Sequence, residues 1–399
     1  MEKVSTGRSR LRSASLHALL LLLGIAAAVM LLEVVLRIDN PFQTRIMGDR
    51  IILPKSKTTR KTNYLVKRLD PVITVSVNSL GFRGAEPPAD FGRYLTIIAV
   101  GGSTTYSSML SDGKTWPADL GRRLDQSFHG VWVNNAGMDA HSTFAHILLM
   151  KEMVVKLHPK VVLLFVGIND LARERMEDIG IDIKGRVSLS SPKSFLLSLY
   201  PYSEVAALGV NLYRSYSGYR ARLVEANLDL TKVGYLRVPR EEERQYVARS
   251  TGPWIPPYEA RLKRLIDMSR EAGIEPVLIT QPLLVGPAVD DITKVDLALI
   301  KVDETRNGEM WWESLQVYND ATRRVGQENN VLVIDVGSQM PKSSRYFYDY
   351  VHYTNEGARV VADIVYRSLC PMLARRWPQY VRQGCAEVPD DEPQITGKE

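Results

Sequence analysis

Four short segments carry the residue types that acyl chemistry needs, and each borders an apolar run or a helix. They are Gly101-Gly102-Ser103-Thr104 after Thr96–Val100, Asn135-Ala136-Gly137 after Val131–Asn134, Gly167-Ile168-Asn169-Asp170 after Val161–Val166, and Asp349-Tyr350-Val351-His352 before the last helical segment. Ser103 offers a hydroxyl nucleophile behind two glycines that permit a tight turn and close approach of a substrate. His352 offers a base. Asp349, three residues upstream, offers a carboxylate that can hold one imidazole nitrogen and stabilise the imidazolium. The Ser103 N–H, the Gly137 N–H and the Asn169 side-chain amide are candidate donors to an oxyanion. Asp170 reads as a structural tie between loops rather than a second base.

Each piece has a plainer reading. Ser103 could be only a turn or cap residue, and Asn169-Asp170 a simple strand-end turn. What argues against those readings is the fixed order of all four segments in one chain. Among the other histidines, His17 falls in an apolar N-terminal segment, and His129 and His158 sit at helix ends beside turns. His141 and His146 lie near Gly137, but neither has a carboxylate three residues before it.

These blocks resemble the SGNH (GDSL-type) hydrolase superfamily. Its signature residues correspond to Ser103, Gly137, Asn169 and His352, with Asp349 in the place of the triad acid, over about residues 95–369. The GxND and DxxH blocks are complete. The first block departs, because the family's GDS reads Gly101-Gly102-Ser103 here, with no aspartate. The resemblance is to membrane-anchored members of the bacterial cell envelope, and it implies an acyl-serine mechanism that needs no metal or organic cofactor. The implied activity is hydrolysis of a carboxylic ester, such as an acetyl group on an envelope polysaccharide or lipid. Two alternatives remain open at this point: an O-acyltransferase with the same site, and a catalytically silent polysaccharide-binding or assembly module.

The elements that must bring these residues together are legible as alternating patterns. Thr96–Val100, Val131–Asn134, Val161–Val166, Pro276–Thr280 and Val331–Asp335 read as strands. Trp116–Phe128, Thr143–Leu157, Pro257–Ala272, about 310–327 and Thr354–Leu369 read as helices. Continuous β-branched runs alternating with helices predict a five-stranded parallel sheet covered on both faces, a three-layer α/β/α sandwich of flavodoxin-like type. In such a sheet ligands bind beyond the carboxyl ends of the strands, where Ser103, Gly137, Asn169 and Asp170 fall. Residues of about 171–252 and 281–308 interrupt the alternation and are expected to be insertions. The first carries Tyr200, Tyr202, Tyr213, Tyr216 and Tyr219, whose spacing fits a packed helix. Trp311 and Trp312 are adjacent, so at most one of them is expected to face a sugar.

The N-terminus adds a membrane reading. Lys3, Arg8, Arg10 and Arg12 against Glu2 give residues 1–15 a charge of +3, and Ala18–Leu32 follows without a break in apolarity. Extended by Val34–Leu36, the run is about the thickness of a bilayer, and the flanking arginines place its start in the cytoplasm. A cleaved signal peptide is the alternative, with Ala26-Ala27-Ala28 as its cleavage region; the apolar Val29–Leu32 beyond favours an uncleaved anchor. The expected organisation is a basic tail over 1–15, a signal-anchor over 16–37, an extracytoplasmic extension over 38–93, the hydrolase domain over 94–370 and a tail over 371–399. Partners would be the membrane and an acylated glycan or lipid; the sequence leaves the oligomeric state open.

Net charge is +6 over 399 residues, half of it in the tail, so there is no nucleic-acid footprint. The densest basic run, Lys55–Arg68, reads as a solvated connector. Cys370 and Cys385 are the only cysteines and match no metal-ligand spacing. In an oxidising compartment they could close a loop that pins the tail; two unrelated thiols are the alternative.

Overall fold

The computed structural model describes residues 5–42, 44–47, 50–171, 199–220 and 227–385. By its contacts the chain divides into two units, Met1–Ile52 with Ile179–Tyr219, and Leu53–Asp178 with Arg220–Glu399.

The first unit contains the helix Ser5–Ile38, a short antiparallel pair β1 (Arg45–Met47) and β2 (Arg50–Ile52), and the helix Glu204–Arg220. Within the first helix, Ala14–Ile38 is long and apolar enough to cross a membrane. Near its end the Glu33 carboxylate accepts the Glu204 and Val205 N–H groups at 3.0 and 3.1 Å and the Ser203 hydroxyl at 2.8 Å. An acid there satisfies donors that the start of any helix leaves open. The tyrosines of this region depart from the expected packed helix. Tyr200 is buried, but Tyr202, Tyr213 and Tyr216 are more than half exposed. The Tyr219 side chain and residues 172–198 and 221–226 lie outside the described residues.

The second unit opens with an antiparallel hairpin, β3 (Lys57–Thr62) and β4 (Val72–Val77). The sheet follows: β5 (Leu95–Gly101), β6 (Val131–Asn135), β7 (Val161–Phe165), β8 (Glu275–Ile279) and β9 (Leu332–Ile334). All neighbours are parallel, in the order β6-β5-β7-β8-β9. Every residue of β5 and β7 is buried, as central parallel strands covered on both faces require. Trp116–Ser127 packs with Asn355–Arg376 in one helical layer; Ile255–Glu271 packs with Thr143–Leu149 and Gly308–Glu328 in the other. This is the expected sandwich. Its order is the flavodoxin-like 2-1-3-4-5, whose switch point lies between β5 and β7.

One boundary differs from expectation. The final helix runs through Pro371 to Arg376 instead of stopping near Leu369. Leu373 is fully buried, and its carbonyl accepts the Trp377 N–H at 2.8 Å, so packing beyond the proline holds the last turns. Cys370 and Cys385 are joined by a disulfide with Cα atoms 6.0 Å apart, closing a loop over the end of this helix.

Candidate active site

Ser103 is the first residue of a four-residue helix, Ser103–Tyr106, that starts directly beyond β5, with extended Gly102 as its N-cap. The short helix is held at its C-terminal end and from the side. At its end, buried Arg83 donates to the carbonyls of Tyr106 (2.6 Å), Ser107 (2.8 Å) and Leu110 (2.9 Å). From the side, Asn135 Nδ2 donates to the Thr105 carbonyl at 2.6 Å. The hydroxyl is therefore presented from a fixed backbone, and Ser103 itself is only half-buried.

His352 Nε2 lies 2.8 Å from Ser103 Oγ, and His352 Nδ1 lies 2.7 Å from Asp349 Oδ2. A carboxylate only accepts, so Nδ1 carries the proton, Nε2 is the free base and the serine hydroxyl donates to it. Asp349 Oδ1 accepts the Val351 and His352 N–H groups at 2.9 and 2.7 Å, which fixes the carboxylate before it meets the imidazole. The Tyr348 ring stacks on the imidazole with centroids 5.6 Å apart and planes at 12°. Asp349 and His352 are both buried. Ser103 and His352 are 249 positions apart in sequence, and the parallel sheet brings them together.

Asn169 follows β7, and its Nδ2 donates to the His141 carbonyl at 2.9 Å, leaving the second N–H of the amide for another acceptor. A Cβ on Gly102 would stand 2.1 Å from that Nδ2, so the amide lies directly over the residue before the nucleophile. Asp170 is buried and accepts from Thr143 N–H (3.2 Å), Thr143 Oγ1 and Arg261 Nη2 (3.3 Å). It ties the loop after β7 to two helices and does not touch the Ser103–His352–Asp349 line. Burial pushes its carboxyl up, against the opposing pull of Arg261.

Gly137 closes the turn after β6, and its N–H donates to Asn135 Oδ1 at 2.9 Å in the absence of substrate. The glycine is needed for space: a Cβ would meet the Tyr106 nitrogen at 2.4 Å and the Thr105 carbonyl carbon at 2.8 Å. Asn135 is the residue that sequence reasoning passed over. Its side chain joins Gly137 to the nucleophile helix, and its place in the same Asn-Ala-Gly string was the available signal.

The remaining expectations sort as follows. His141 contributes its carbonyl to Asn169, and His146 is fully buried beneath β5. Burial, only partly offset by the Gly101 backbone, holds the His146 pKa down at about 4. Trp311 is buried edge-on against Tyr350, and half-buried Trp312 packs beneath the Lys342 ammonium. Lys342 Nζ donates to the Leu283 and Val285 carbonyls at 2.7 and 2.8 Å, and burial draws its pKa down to about 7.

No protein-family model matches the chain, and no curated protein matches it. Among solved structures, similar ones include the acetylxylan esterase Axe2 from Geobacillus stearothermophilus, at 14% identity over 68% of this chain and 93% of that one, with a TM-score of 0.39. The acetyl xylan esterase AlAXEase is 15% identical over 68% of this chain and 98% of that one, TM-score 0.39. A putative acylhydrolase from Bacteroides fragilis is 13% identical over 72% and 91%, TM-score 0.37. Similarity at this level carries no functional weight, and the chemistry rests on the geometry above.

Proposed function

We propose that the protein is a serine carboxylic-ester hydrolase of the SGNH type, anchored in the membrane by its N-terminal helix with the catalytic unit outside the cytoplasm. The observation that carries the reading is the unbroken line Ser103 Oγ–His352 Nε2–Asp349 Oδ2, at 2.8 and 2.7 Å, ending on a half-exposed hydroxyl. His352 takes the Ser103 proton as Oγ attacks the ester carbonyl, and Asp349 stabilises the imidazolium. The oxyanion takes hydrogen bonds from the Ser103 N–H, which the first turn of a helix leaves without an internal acceptor, and from the second N–H of Asn169. Collapse breaks the ester C–O bond, and His352 returns its proton to the departing alcohol. Water, deprotonated by His352, then attacks the acyl-serine and releases the carboxylic acid. If a sugar hydroxyl replaces that water, the same steps give acyl transfer.

The substrate class that fits this reading is a small acyl ester on an envelope polysaccharide or lipid. The basic flank and apolar span of the first helix support the location, and a reporter enzyme active only outside the cytoplasm, fused at the C-terminus, tests it. The chemistry is tested with p-nitrophenyl acetate and longer-chain esters on the wild type and Ser103→Ala. The expected loss in kcat is on the order of 10⁶-fold. Turnover that survives Ser103→Ala removes the serine from the reaction. A folded wild type with no turnover, but with acyl-Ser103 detectable by mass spectrometry, would identify a transferase awaiting its acceptor; no acyl-enzyme either would leave a silent module.

A further inference from the structure

The basic run Lys55–Arg68 is solvated as expected and also contains β3, all six of whose residues are exposed, and a loop that binds back onto the body of the unit. The register pairs Lys57 with Val77, Thr59 with Val75 and Lys61 with Ile73. Residues opposite one another in an antiparallel pair share a face. On β4 that face is buried through Ile73 and Val77. On β3 the same face is open and carries Lys57 and Lys61. The strand therefore overhangs the core, with two ammonium groups on its underside.

Where β3 ends in its loop lies an open depression of about 280 Å³ lined by Lys61, Thr62, Asn63, Tyr64, Leu65 and Met109. Met109 supplies an apolar floor. Tyr64 is 88% exposed, and its loop is fixed by the Asn63 side chain, which accepts the Leu65 and Val66 N–H groups and donates to the Val66 and Asp70 carbonyls. Arg68 anchors the loop further by donating to the Phe347 carbonyl at 2.6 Å, two residues before Asp349. Six cations stand against one carboxylate over residues 55–70, and that carboxylate, Asp70, is paired with Lys114 at 2.7 Å. Lys57, Arg60 and Lys61 form no ion pair among the described residues. Met109 is six residues from Ser103, so the cavity floor lies within roughly 20 Å of the nucleophile along the chain.

We propose that this overhang is a subsite for an acidic sugar unit, a carboxylate-bearing residue of the polysaccharide that presents its ester to Ser103. An apolar floor and an exposed phenol suit the face of a sugar ring, Lys61 in the lining suits its carboxylate, and Lys57 on the same face of β3 adds to the local positive potential. The apolar floor at Met109 beside Tyr64 favours this occupant over an anionic membrane surface, which needs only cations. The identity of the polysaccharide as substrate rests on the esterase reading; the binding does not.

The test uses the full chain carrying Ser103→Ala in zwitterionic-lipid nanodiscs, titrated with hexagalacturonate and with its fully methyl-esterified form. The two probes share a backbone and differ in charge. The acid is expected to bind about tenfold tighter or more, with the difference shrinking in high salt. Lys57→Gln with Lys61→Gln is expected to remove that preference, and Tyr64→Ala to weaken both probes. Equal affinity for the two forms, no binding of either, or an unchanged preference in the double lysine variant would overturn the proposal. So would protection of Lys57 and Lys61 from trypsin by phosphatidylglycerol in the nanodisc but not by the sugar, which would assign the ribbon to the membrane. Hydrolysis of p-nitrophenyl acetate by the wild type is measured in parallel. Its absence beside intact, charge-dependent binding would sink the esterase reading and leave the subsite standing.

Discussion

Gly102 and Asn169 are packed so closely that a single methyl group on the glycine would stand 2.1 Å from the asparagine Nδ2. Nδ2 is the end of a side chain that can rotate, so Gly102→Ala is expected to fold with little loss of stability. The rotation would carry the amide away from the oxyanion, at a cost of about 2.7–4 kcal/mol in the transition state, or roughly a hundred- to a thousandfold in kcat. Steady-state kinetics with thermal melts check this. Near-normal kcat in a folded Gly102→Ala protein would show that Asn169 is not an oxyanion donor.

Gly137→Ala should behave in the opposite way. Its added Cβ would press on the backbone of Thr105 and Tyr106, which cannot rotate aside. Overpacking of this kind costs about 1–3 kcal/mol, so the expected result is a lowered denaturation midpoint together with lost activity. A variant with full stability and a selective loss of kcat would instead identify the Gly137 N–H as an oxyanion donor.

Asp349→Asn leaves the size of the side chain unchanged but lets it donate to Nδ1, which favours the wrong imidazole tautomer. A drop in kcat of roughly 10⁴-fold with KM little changed is expected. Wild-type kcat would remove Asp349 from the machinery.

His146 links stability to pH. Its folded pKa, about 4, lies below the unfolded value of 6.5. As pH falls through that window, the unfolded chain takes up a proton that the folded chain refuses. The stabilisation is complete above about pH 6.5 and is lost toward pH 4, by on the order of 3 kcal/mol. Urea midpoints measured across the window should fall in the wild type and flatten in His146→Leu. Equal slopes in both would place the acid sensitivity elsewhere.

Much of the site was readable from the chain because its signals are local. The central strands β5 and β7 are nearly continuous apolar runs, a pattern that short-range sequence carries by itself. Asp349 and His352 are three positions apart, so their pairing needs only one turn of backbone. Ser103 and Asn169 stand at strand ends, and strand ends are where an open parallel sheet gathers its chemistry. The disulfide partners were identifiable because the chain has no other cysteines; that they are joined depends on where the final helix ends.

Tertiary structure decided what depends on competition between distant groups. That the Gly137 N–H meets the Asn135 side chain depends on how the turn packs, and a glycine in a string cannot show which acceptor lies nearest. Pro371 reads locally as a helix stop, yet the burial of Leu373 carries the helix past it. Lys55–Arg68 reads from its charge as a solvated connector. Its meaning comes from β4, whose buried face leaves β3 overhanging, and from a carbonyl at Phe347, 279 positions away from Arg68. Propensity and pattern act over a few residues, so the sequence alone determined the elements and the candidate side chains at the strand ends. Hydrogen-bond partners and open faces are assigned only when the whole chain has packed, and there only the tertiary structure could decide.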